Sequence, residues 1–405
     1  MATQNEQYDL KVLRYIVFLS ITVIFAGCAT PPRLAAVPEG RHLDAALPGL
    51  ANVRFYPREQ ANSFIRIEVK AVRREAAYLK VPTTSLPPAV FLALSGGGDN
   101  GAFGAGLLTG WSETGTRPVF KMVTGISTGA LIAPFAFMGK DYDPQLKKVF
   151  TSVSQSDIFI SRGLLAGVFG DAMADTWPLR SLLEKYIDRD MLEGIAEEYG
   201  KGRLLFIATT DLDSRRAVVW NIGAIAQSGD PKALTLFHNI LVASAAIPGA
   251  FPPVMMDVEI DGTKYHEMHV DGGAISQTFA YPSSVKVLEV ARKYRIFRQR
   301  TLYVIRNARL DPVWSSVKRQ TLDIAGRAIS SLINSEGIGD LYKIFVDTRR
   351  DQIDYNLAFI PKDFTEKAPS DFYNPYMRAL FDFAYQRARR GYVWHKFPPG
   401  YETEG

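Results

Sequence analysis

The chain has 405 residues, 47% of them hydrophobic, which is enough apolar material for a large globular core. The formal net charge of +5 is mild and Lys and Arg are spread along the chain, which argues against a nucleic-acid-binding protein. Five histidines and a single cysteine leave little material for a metal centre, so we expect neither a metal nor another cofactor.

The N-terminus has the layout of a signal peptide. Lys11 and Arg14 precede an apolar run over residues 15–26, which is too short for an ordinary membrane span. A positive region, an apolar region and small residues are the three parts of a signal peptide, and we expect one over residues 1–27.

Cys28 follows directly and, as the only cysteine, cannot form an internal disulfide. The segment resembles a bacterial lipobox, in which the cysteine is lipidated and becomes the first residue, although Phe25 stands where Leu is usual. Ala29 rather than Asp comes next, which by the bacterial sorting pattern implies the outer membrane, facing the periplasm. The alternative is a buried or incidental cysteine in an uncleaved anchor.

Residues 28–88 are predicted to be a lipidated N-terminus and tether. Four prolines within residues 29–49 and little hydrophobic periodicity are typical of a flexible connection. Residues 62–70 alternate apolar and polar side chains, which predicts a strand at the edge of the core. A second Pro-rich joint at residues 83–88 leads into a core domain that we expect to span residues 89–309.

A glycine-rich loop follows the first predicted core strand. The apolar run at residues 89–94 is typical of a buried parallel strand, and it leads into Gly96, Gly97, Gly98 and then Gly101. Consecutive glycines between a strand and a helix leave N–H groups that can point at an anion. No Gly-Lys-Ser/Thr follows, which argues against a nucleotide P-loop, and no acidic residue closes a dinucleotide-binding unit at the expected distance.

Ser127 lies between Gly125 and Gly129, after one apolar run and before another. The order strand, sharp turn, helix is that of a nucleophile elbow, in which the serine hydroxyl is pushed out of the backbone. A side chain at either flanking glycine would crowd such an elbow, and the helix behind it favours negative charge near the serine. A plain Gly/Ser-rich loop is the alternative, but next to this elbow the upstream glycines are candidate oxyanion donors.

A third motif lies at the end of another predicted strand, where Asp271 is followed by Gly272 and Gly273. An aspartate before two glycines can be an ordinary turn. In the company of the other two motifs, Asp271 becomes a candidate base for Ser127.

The three motifs, in this order, resemble the patatin-like phospholipases. Residues 243–253 also resemble the A-S-x-A-x-P-x-x-F-x-P block of that family, and residues 210–212 resemble its Thr-Asp-Leu segment. The resemblance covers residues 89–306 and implies an α/β fold with a three-layer core, in which a mostly parallel sheet lies between helices. Many members carry Arg or Lys before the last glycine of the first motif. Asn100 stands there in this chain, so a positive charge near the oxyanion is missing.

The resemblance implies a Ser–Asp dyad. Ser127 would be the nucleophile, Asp271 would take its proton directly, and the N–H groups of Gly97 and Gly98 would hold the oxyanion. The acyl-enzyme would then be hydrolysed by water to release a fatty acid. The other motif glycines implied by the resemblance are Gly96, Gly101, Gly125, Gly129, Gly272 and Gly273.

Two alternatives to the dyad use histidine. A triad in the hydrolase order needs a histidine late in the chain, and only His395 follows Asp271. His269 shares a strand face with Asp271, so it could tune Asp271 or have no role. A metal site built from His266, His269 and Asp271 has no second ligand cluster, and this spacing on a strand does not converge three ligands.

Residues 157–173 form an apolar, glycine-punctuated segment after the elbow helix. The segment could simply cover the core. The alternative is a mobile cap over the acyl site, with Leu164, Leu165 and Phe169 lining the route of the acyl chain.

The remainder, residues 310–405, is predicted to be a helical extension that packs on the core. Its pattern indicates helices over residues 317–334 and 342–347 and a last helix near residues 375–391. The apolar positions of the last helix are expected to close over the core.

The sequence therefore predicts a serine acyl hydrolase that cleaves fatty-acyl esters of phospholipids or lysophospholipids in the bacterial cell envelope. Membrane lipid is the expected substrate and a lipid the expected anchor, whereas no nucleic acid, metal or protein partner is indicated. The alternative is a non-catalytic envelope lipoprotein that uses the fold as a lipid-binding or scaffolding module, and Asn100 is the feature that favours it.

Overall fold

The computed structural model describes residues 32–161 and 171–401. Its strands are β1 (Arg54–Phe55), β2 (Ala89–Leu94), β3 (Met122–Ile126), β4 (Ile160–Ser161), β5 (Ala174–Asp175), β6 (Leu204–Asp211), β7 (Arg216–Asn221), β8 (Val254–Ile260), β9 (Thr263–Asp271), β10 (Arg300–Arg309) and β11 (Asp354–Ile360). Its α-helices are α1 (Ala61–Leu79), α2 (Gly101–Glu113), α3 (Thr128–Met138), α4 (Asp143–Ser152), α5 (Gln155–Ile158), α6 (Trp177–Tyr186), α7 (Arg189–Gly200), α8 (Ile222–Gln227), α9 (Ala233–Ser244), α10 (Val287–Tyr294), α11 (Thr321–Arg350) and α12 (Asn374–Arg389).

One large sheet organises the fold. In the described part of the chain it has nine strands, with the order β1-β7-β6-β3-β2-β10-β11 and with β9 pairing on both β6 and β8. The run from β6 to β11 is parallel, whereas β7, β1, β9 and β8 pair antiparallel at the other side. The predicted mostly parallel sheet is confirmed.

The central strands are buried on both faces. Leu92 and Leu94 of β2 belong to one hydrophobic core, and Phe91 and Ala93 belong to another. Successive strand residues point to opposite faces, so the two cores lie on opposite sides of the sheet. Helices α2, α3, α9 and α12 contribute to the first core, and α1 and α11 contribute to the second, which gives the predicted three layers.

Strand β6 aligns the ends of two other strands. Its first part pairs with β3, where Ala208 lies opposite Ile126. Its last part pairs with β9, where the next residue, Thr209, lies opposite Asp271. The residue after Ile126 is Ser127, so two neighbouring positions on β6 bring the elbow and the aspartate turn together.

The predicted edge strand over residues 62–70 is wrong, because these residues lie in helix α1. The alternation covers too few residues to separate a strand from a helix. Over the full helix the buried positions include Phe64, Val72 and Ala76, at separations that fit a period of 3.6 residues. Phe64 packs on the sheet, and the buried face is not purely apolar, because Glu75 lies within it and pairs with Lys121 and Arg298.

The C-terminal helices also differ in detail from the prediction. The two helices expected over residues 317–334 and 342–347 are one continuous helix, α11. The last predicted helix is α12, which packs against α2. A Cβ on Gly106 or Gly110 of α2 would lie 2.2 Å or 2.3 Å from an α12 carbonyl oxygen, so glycine is what allows this close approach. No helix within the described residues combines the length and apolar character needed to cross a membrane.

Candidate active site

Ser127 occupies a strained turn between β3 and α3. Its φ of 55° and ψ of −128° are rare for a residue with a side chain, and such strain is held only where the surrounding structure fixes it. A Cβ on Gly125 would lie 2.4 Å from the Gly129 carbonyl oxygen, and a Cβ on Gly129 would lie 2.3 Å from the Leu94 carbonyl oxygen. The two glycines are therefore required by contact, as the elbow pattern predicts.

Ser244, at the end of α9, holds the elbow from behind. The Ser127 N–H donates to the Ser244 hydroxyl oxygen at 3.0 Å, and that hydroxyl donates to the Ala208 carbonyl at 2.7 Å. Ser244 belongs to the A-S-x-A block noted in the sequence, but its hydrogen bond to the elbow was not predicted. Only the fold shows that α9 reaches β3.

Asp271 faces Ser127 directly. Its carboxylate accepts a hydrogen bond of 2.7 Å from the Gly273 N–H, and the Ser127 hydroxyl acts as a second hydrogen-bonding partner that lowers the Asp271 pKa. Its exposed fraction is 5%, and burial raises the pKa of Asp271 to about 6 despite these two hydrogen bonds, which lower it. A buried carboxylate with this pKa is a stronger base than an aspartate in water.

The glycine loop lies on the other side of Ser127. A Cβ on Gly97 would lie 1.9 Å from the Asn307 carbonyl oxygen, and one on Gly101 would lie 2.2 Å from Thr128 Oγ1, so neither position accepts a side chain. Gly98, with φ +59°, faces open space. Within residues 32–161 and 171–401, no hydrogen bond uses the N–H of Gly97 or Gly98. Both are therefore available as donors to a ligand.

Gln277 connects the glycine loop to the aspartate turn. Its backbone carbonyl accepts from the Gly96 N–H at 3.1 Å, and its Nε2 donates to the Gly273 carbonyl at 2.8 Å. Asp340 of α11 accepts from the Gln277 N–H at 2.6 Å and from the Thr278 N–H at 3.0 Å. One buried glutamine thus fixes the spacing of both halves of the site.

Arg306 is a buried cation beside the glycine loop that sequence reasoning did not identify. Its Nη1 donates to the Gly96 carbonyl at 3.3 Å and to Gln277 Oε1 at 3.4 Å. Its exposed fraction is 2%, and burial lowers the pKa of Arg306 to about 10, only partly opposed by the charge of Asp340. The side chain remains mostly charged at neutral pH and supplies positive charge that position 100 lacks.

Position 100 has a different role in this chain. The Asn100 side-chain oxygen accepts a hydrogen bond of 2.6 Å from the Tyr376 hydroxyl of α12. The neighbouring Asp99 carboxylate accepts from the Phe372 N–H at 3.3 Å, and burial, with the nearby Asp371, raises its pKa to about 6. The loop is therefore tied to the C-terminal segment of the protein.

An apolar cavity opens beside the loop and the elbow. It contains about 480 Å³ of space between atoms, part of it continuous with solvent, and Gly98 and Thr128 lie in its wall. The apolar side chains of this wall include Leu131, Phe135, Val153, Leu183, Phe372 and Met377. Ile158 also lines it, whereas Leu164, Leu165 and Phe169 of the predicted cap lie outside the described residues.

The histidines are engaged elsewhere. His269 Nδ1 lies 2.8 Å from Thr209 Oγ1, and its Nε2 lies 3.0 Å from Glu267, whose carboxylate is paired with Arg54. His266 accepts from the Leu34 N–H through Nδ1. His395 stacks on Phe359 beside β11, at the far edge of the sheet from β9. None of the three therefore faces Ser127.

The predicted signal peptide and Cys28 lie outside the described residues.

Comparison with known proteins agrees with the sequence motifs. The family model described as patatin-like phospholipase matches residues 92–282, which contain Ser127, Asp271 and the glycine loop. No curated protein matches the chain. Among solved structures, VipD from Legionella pneumophila is similar over 75% of this chain and 66% of its own, with 11% identity and a TM-score of 0.35. Likeness at that level carries no argument. What the family model shows is that residues 92–282 are similar to the patatin-like phospholipases.

Proposed function

We propose that this protein is a serine acyl hydrolase that cleaves fatty-acyl esters of phospholipids or lysophospholipids through a Ser127–Asp271 dyad. One observation carries the proposal. A buried aspartate interacts with the hydroxyl of a serine on a strained elbow, beside an apolar cavity. The match of residues 92–282 to the patatin-like phospholipase model supports ester hydrolysis of lipids as the class of reaction.

In the first half-reaction, Asp271 takes the proton of Ser127 as Oγ attacks the ester carbonyl carbon. The C=O π electrons move onto the carbonyl oxygen to form a tetrahedral oxyanion. When this collapses, the carbon–oxygen bond to the alcohol breaks and Asp271 returns the proton to the leaving oxygen. The products are an acyl-serine and the free alcohol, a lysophospholipid or a glycerophosphodiester.

The second half-reaction repeats this chemistry with water. Asp271 takes a proton from water as the water oxygen attacks the acyl carbon. Collapse then releases a fatty acid and returns the proton to Ser127 Oγ. Because the pKa of Asp271 is about 6, the carboxylate is mostly ionised at neutral pH and still basic enough to accept the proton.

The N–H groups of Gly97 and Gly98 are the donors that we assign to the oxyanion. Arg306 strengthens them from behind, because a cation that donates to the Gly96 carbonyl polarises the Gly96–Gly97 peptide unit and makes its N–H a better donor. The carbonyl also accepts from the Ser95 hydroxyl at 2.7 Å. The positive charge missing at Asn100 is in this way replaced from β10.

The apolar cavity is the site that we assign to the acyl chain. Its lining is apolar, and its wall starts at Thr128, the residue next to the nucleophile. A chain bound there would exclude water from Asp271 and Ser127. Phe372 and Met377 come from beyond the family match, so the C-terminal part of the protein shapes chain-length preference.

Cys28 indicates where in the cell the protein is located. We propose that it is lipidated after signal-peptide cleavage and tethers the enzyme to the bacterial envelope, in the outer membrane facing the periplasm. The support is the order of a positive region, an apolar run and a sole cysteine. Mass spectrometry of the N-terminal peptide from membrane fractions tests this: an unmodified Cys28 would contradict it.

Labelling with a fluorophosphonate probe tests the catalytic proposal. We expect covalent labelling of wild-type protein at Ser127, and release of fatty acid and lysophospholipid from mixed phospholipids, measured by mass spectrometry. The non-catalytic lipid-binding alternative requires that folded protein is not labelled and releases no product. A chelator control should leave turnover unchanged if the dyad acts without metal.

A further inference from the structure

The first half of helix α11 has no partner within the described structure. Residues 313–336, which we call the arm, are mostly exposed among the residues that the structure describes, with Arg327 and Asn334 half-buried, in contrast to the buried turn at Gly337 and Asp340. Trp314 is 85% exposed and Leu332 is 69% exposed. Contiguous exposed apolar groups of this size are uncommon on a soluble surface and indicate an interaction site.

Apolar and polar side chains of the arm lie mostly on different sides of the helix. At about 100° per residue Ile324, Leu332, Ile329 and Ile333 follow one another around about half of the helix circumference, an arc that also contains Glu336, and the four apolar side chains are exposed. The opposite face carries Asp323, Arg327, Ser330, Ser331 and Asn334. This is an amphipathic helix whose apolar face is turned to solvent.

The arm is attached to the catalytic apparatus. It continues directly into the turn of α11 where Asp340 holds Gln277, and where a Cβ on Gly337 would lie 2.3 Å from Arg306 Nη2. At about 1.5 Å rise per residue, Leu332 lies roughly 12 Å from Asp340 along the helix axis and Ile324 roughly 24 Å. Whatever binds the arm is therefore attached, through α11, to the residues that fix the aspartate turn.

The charged residues of the arm indicate what kind of surface binds it. Lys318 and Arg319 lie between Trp314 and the start of the helix, and Arg327 hydrogen-bonds the Val313 carbonyl, which holds that segment against the helix. In residues 313–336 these three cations outnumber the two acids, Asp323 and Glu336. An apolar stripe bordered by Lys and Arg with a neighbouring Trp is the chemistry of a helix that lies in an anionic bilayer interface.

We propose that the arm inserts its apolar face into the surface of an anionic phospholipid bilayer and so presents lipid esters to the active site. This rests on the proposed function, since it takes bilayer lipid as the substrate. The apolar face of such a helix enters the headgroup boundary by about 5–10 Å, and the polar face stays in water. The apolar side chains Ile324, Ile329 and Leu332 are exposed, as this orientation requires.

Fluorescence quenching by brominated lipid tests the location of the arm. The full chain is bound to phosphatidylglycerol–phosphatidylcholine vesicles with and without brominated acyl chains, which quench a tryptophan only on contact. We expect Trp314→Phe to remove most of the quenched signal. The matched control is Trp177→Phe, because Trp177 is 67% exposed but lies outside the arm, and it should leave the quenching unchanged. Equal quenching in wild type and Trp314→Phe would overturn the proposal, however the chain is otherwise anchored.

A second set of variants tests the consequence for turnover. Ile324→Ser, Ile329→Ser and Leu332→Ser together should lower hydrolysis of vesicle lipid at least about tenfold and leave hydrolysis of a soluble short-chain ester within about twofold. The matched control combines Val119→Ser with Val393→Ser, which are exposed apolar residues elsewhere, and should change neither activity.

The two proposals fail in different ways. If Ser127→Ala abolishes turnover and keeps the Trp314 quenching, both stand. If wild-type protein hydrolyses no ester but Trp314 is quenched, the proposed function fails and the docking surface stands. If the triple variant sediments as a smaller species than wild type, a second copy of the chain covers the arm, and the docking proposal is wrong.

Discussion

The two halves of helix α11 are built for different surroundings. In the second half, Leu341 and Phe345 are buried in the core and Asp340 anchors the backbone of the aspartate turn. In the first half, Ile324 and Leu332 have no described contact surface. One helix therefore combines a buried half that supports the candidate active site with an exposed half that we propose to dock on lipid, and mutations should separate these two roles.

Ser127→Ala should separate ester turnover from lipid contact by the arm more strongly than any other variant. Without its nucleophile the site should lose at least about 10⁴-fold in ester turnover, because members of a catalytic unit act together. Contact of Trp314 with vesicle lipid should be unchanged. The measurements are fatty-acid release and fluorophosphonate labelling, with Ser316→Ala in the arm as the control that keeps both. A labelled, active Ser127→Ala protein would mean that another residue is the nucleophile.

Asp271→Asn is the next largest expected effect. The amide cannot accept the serine proton, so turnover should fall by about 10³–10⁴-fold. In wild type, the pH dependence of kcat/KM for a soluble ester should rise through a pKa near 6, where the carboxylate ionises. A fall of less than about tenfold in the Asn variant would indicate a base other than Asp271.

The same substitution should stabilise the fold above pH 6. Burial raises the Asp271 pKa from 3.8 to about 6, so its ionised form destabilises the folded state. The free energy of unfolding therefore starts to fall as the pH rises above about 4. The decrease is complete above about pH 6 and amounts to about 3 kcal/mol. Urea unfolding should therefore show Asp271→Asn more stable than wild type at pH 8 and nearly equal at pH 4. The opposite pH order would show that Asp271 is stabilised as an anion.

The sequence predicted the parts of the site that depend on short-range geometry. Glycines around Ser127 and after Asp271 mark sharp turns at strand ends, and these turns form as expected. The pairing of Asp271 with Ser127 was a hypothesis from the company of the three motifs, which the family resemblance then implied. The physical reason is the register on β6, where Ala208 and Thr209 are consecutive partners of the two strands, and no local pattern encodes it.

What the sequence did not predict depends on contacts between distant segments. Arg306 and Gly96 are 210 residues apart, and Asp340 and Gln277 are 63 apart. An Arg that ends an apolar strand run is a usable signal, because a charge in a buried strand needs a partner or a function. The strand wrongly predicted at residues 62–70 failed for a related reason: packing against the sheet, not local alternation, decided the period.

Substitutions at the adjacent residues Gly97 and Gly98 should distinguish displacement of the glycine loop from backbone strain within it. Gly97→Ala places its Cβ against the Asn307 carbonyl and must displace the loop, so kcat should fall by about 10²–10³-fold, as when an oxyanion donor is lost. Gly98→Ala meets no atom and should cost only the left-handed backbone strain, about 1–2 kcal/mol of unfolding free energy. Steady-state kinetics and urea unfolding measure the two. A smaller effect on kcat from Gly97→Ala than from Gly98→Ala would contradict the assigned donors.

The smallest catalytic effect is expected for Arg306, which acts through the Gly96–Gly97 peptide and does not touch substrate. Arg306→Met should lower kcat on a soluble ester by about tenfold to a hundredfold and leave KM nearly unchanged, because the lost charge matters most when the oxyanion forms. Affinity for a trifluoromethyl ketone, which forms an oxyanion on Ser127, should fall by the same factor as kcat.

Arg306→Lys distinguishes charge from packing at this position. Lysine keeps the positive charge but loses the planar guanidinium, so kcat should recover partly in Arg306→Lys and not in Arg306→Met. A purely structural role predicts the reverse, because replacing an incompletely paired buried cation by an apolar side chain is often neutral or stabilising. Met, with the better packing, would then retain more activity than Lys. Because Arg306 also contacts the helix that carries the arm, both variants should leave the Trp314 quenching intact if the two halves of α11 are independent.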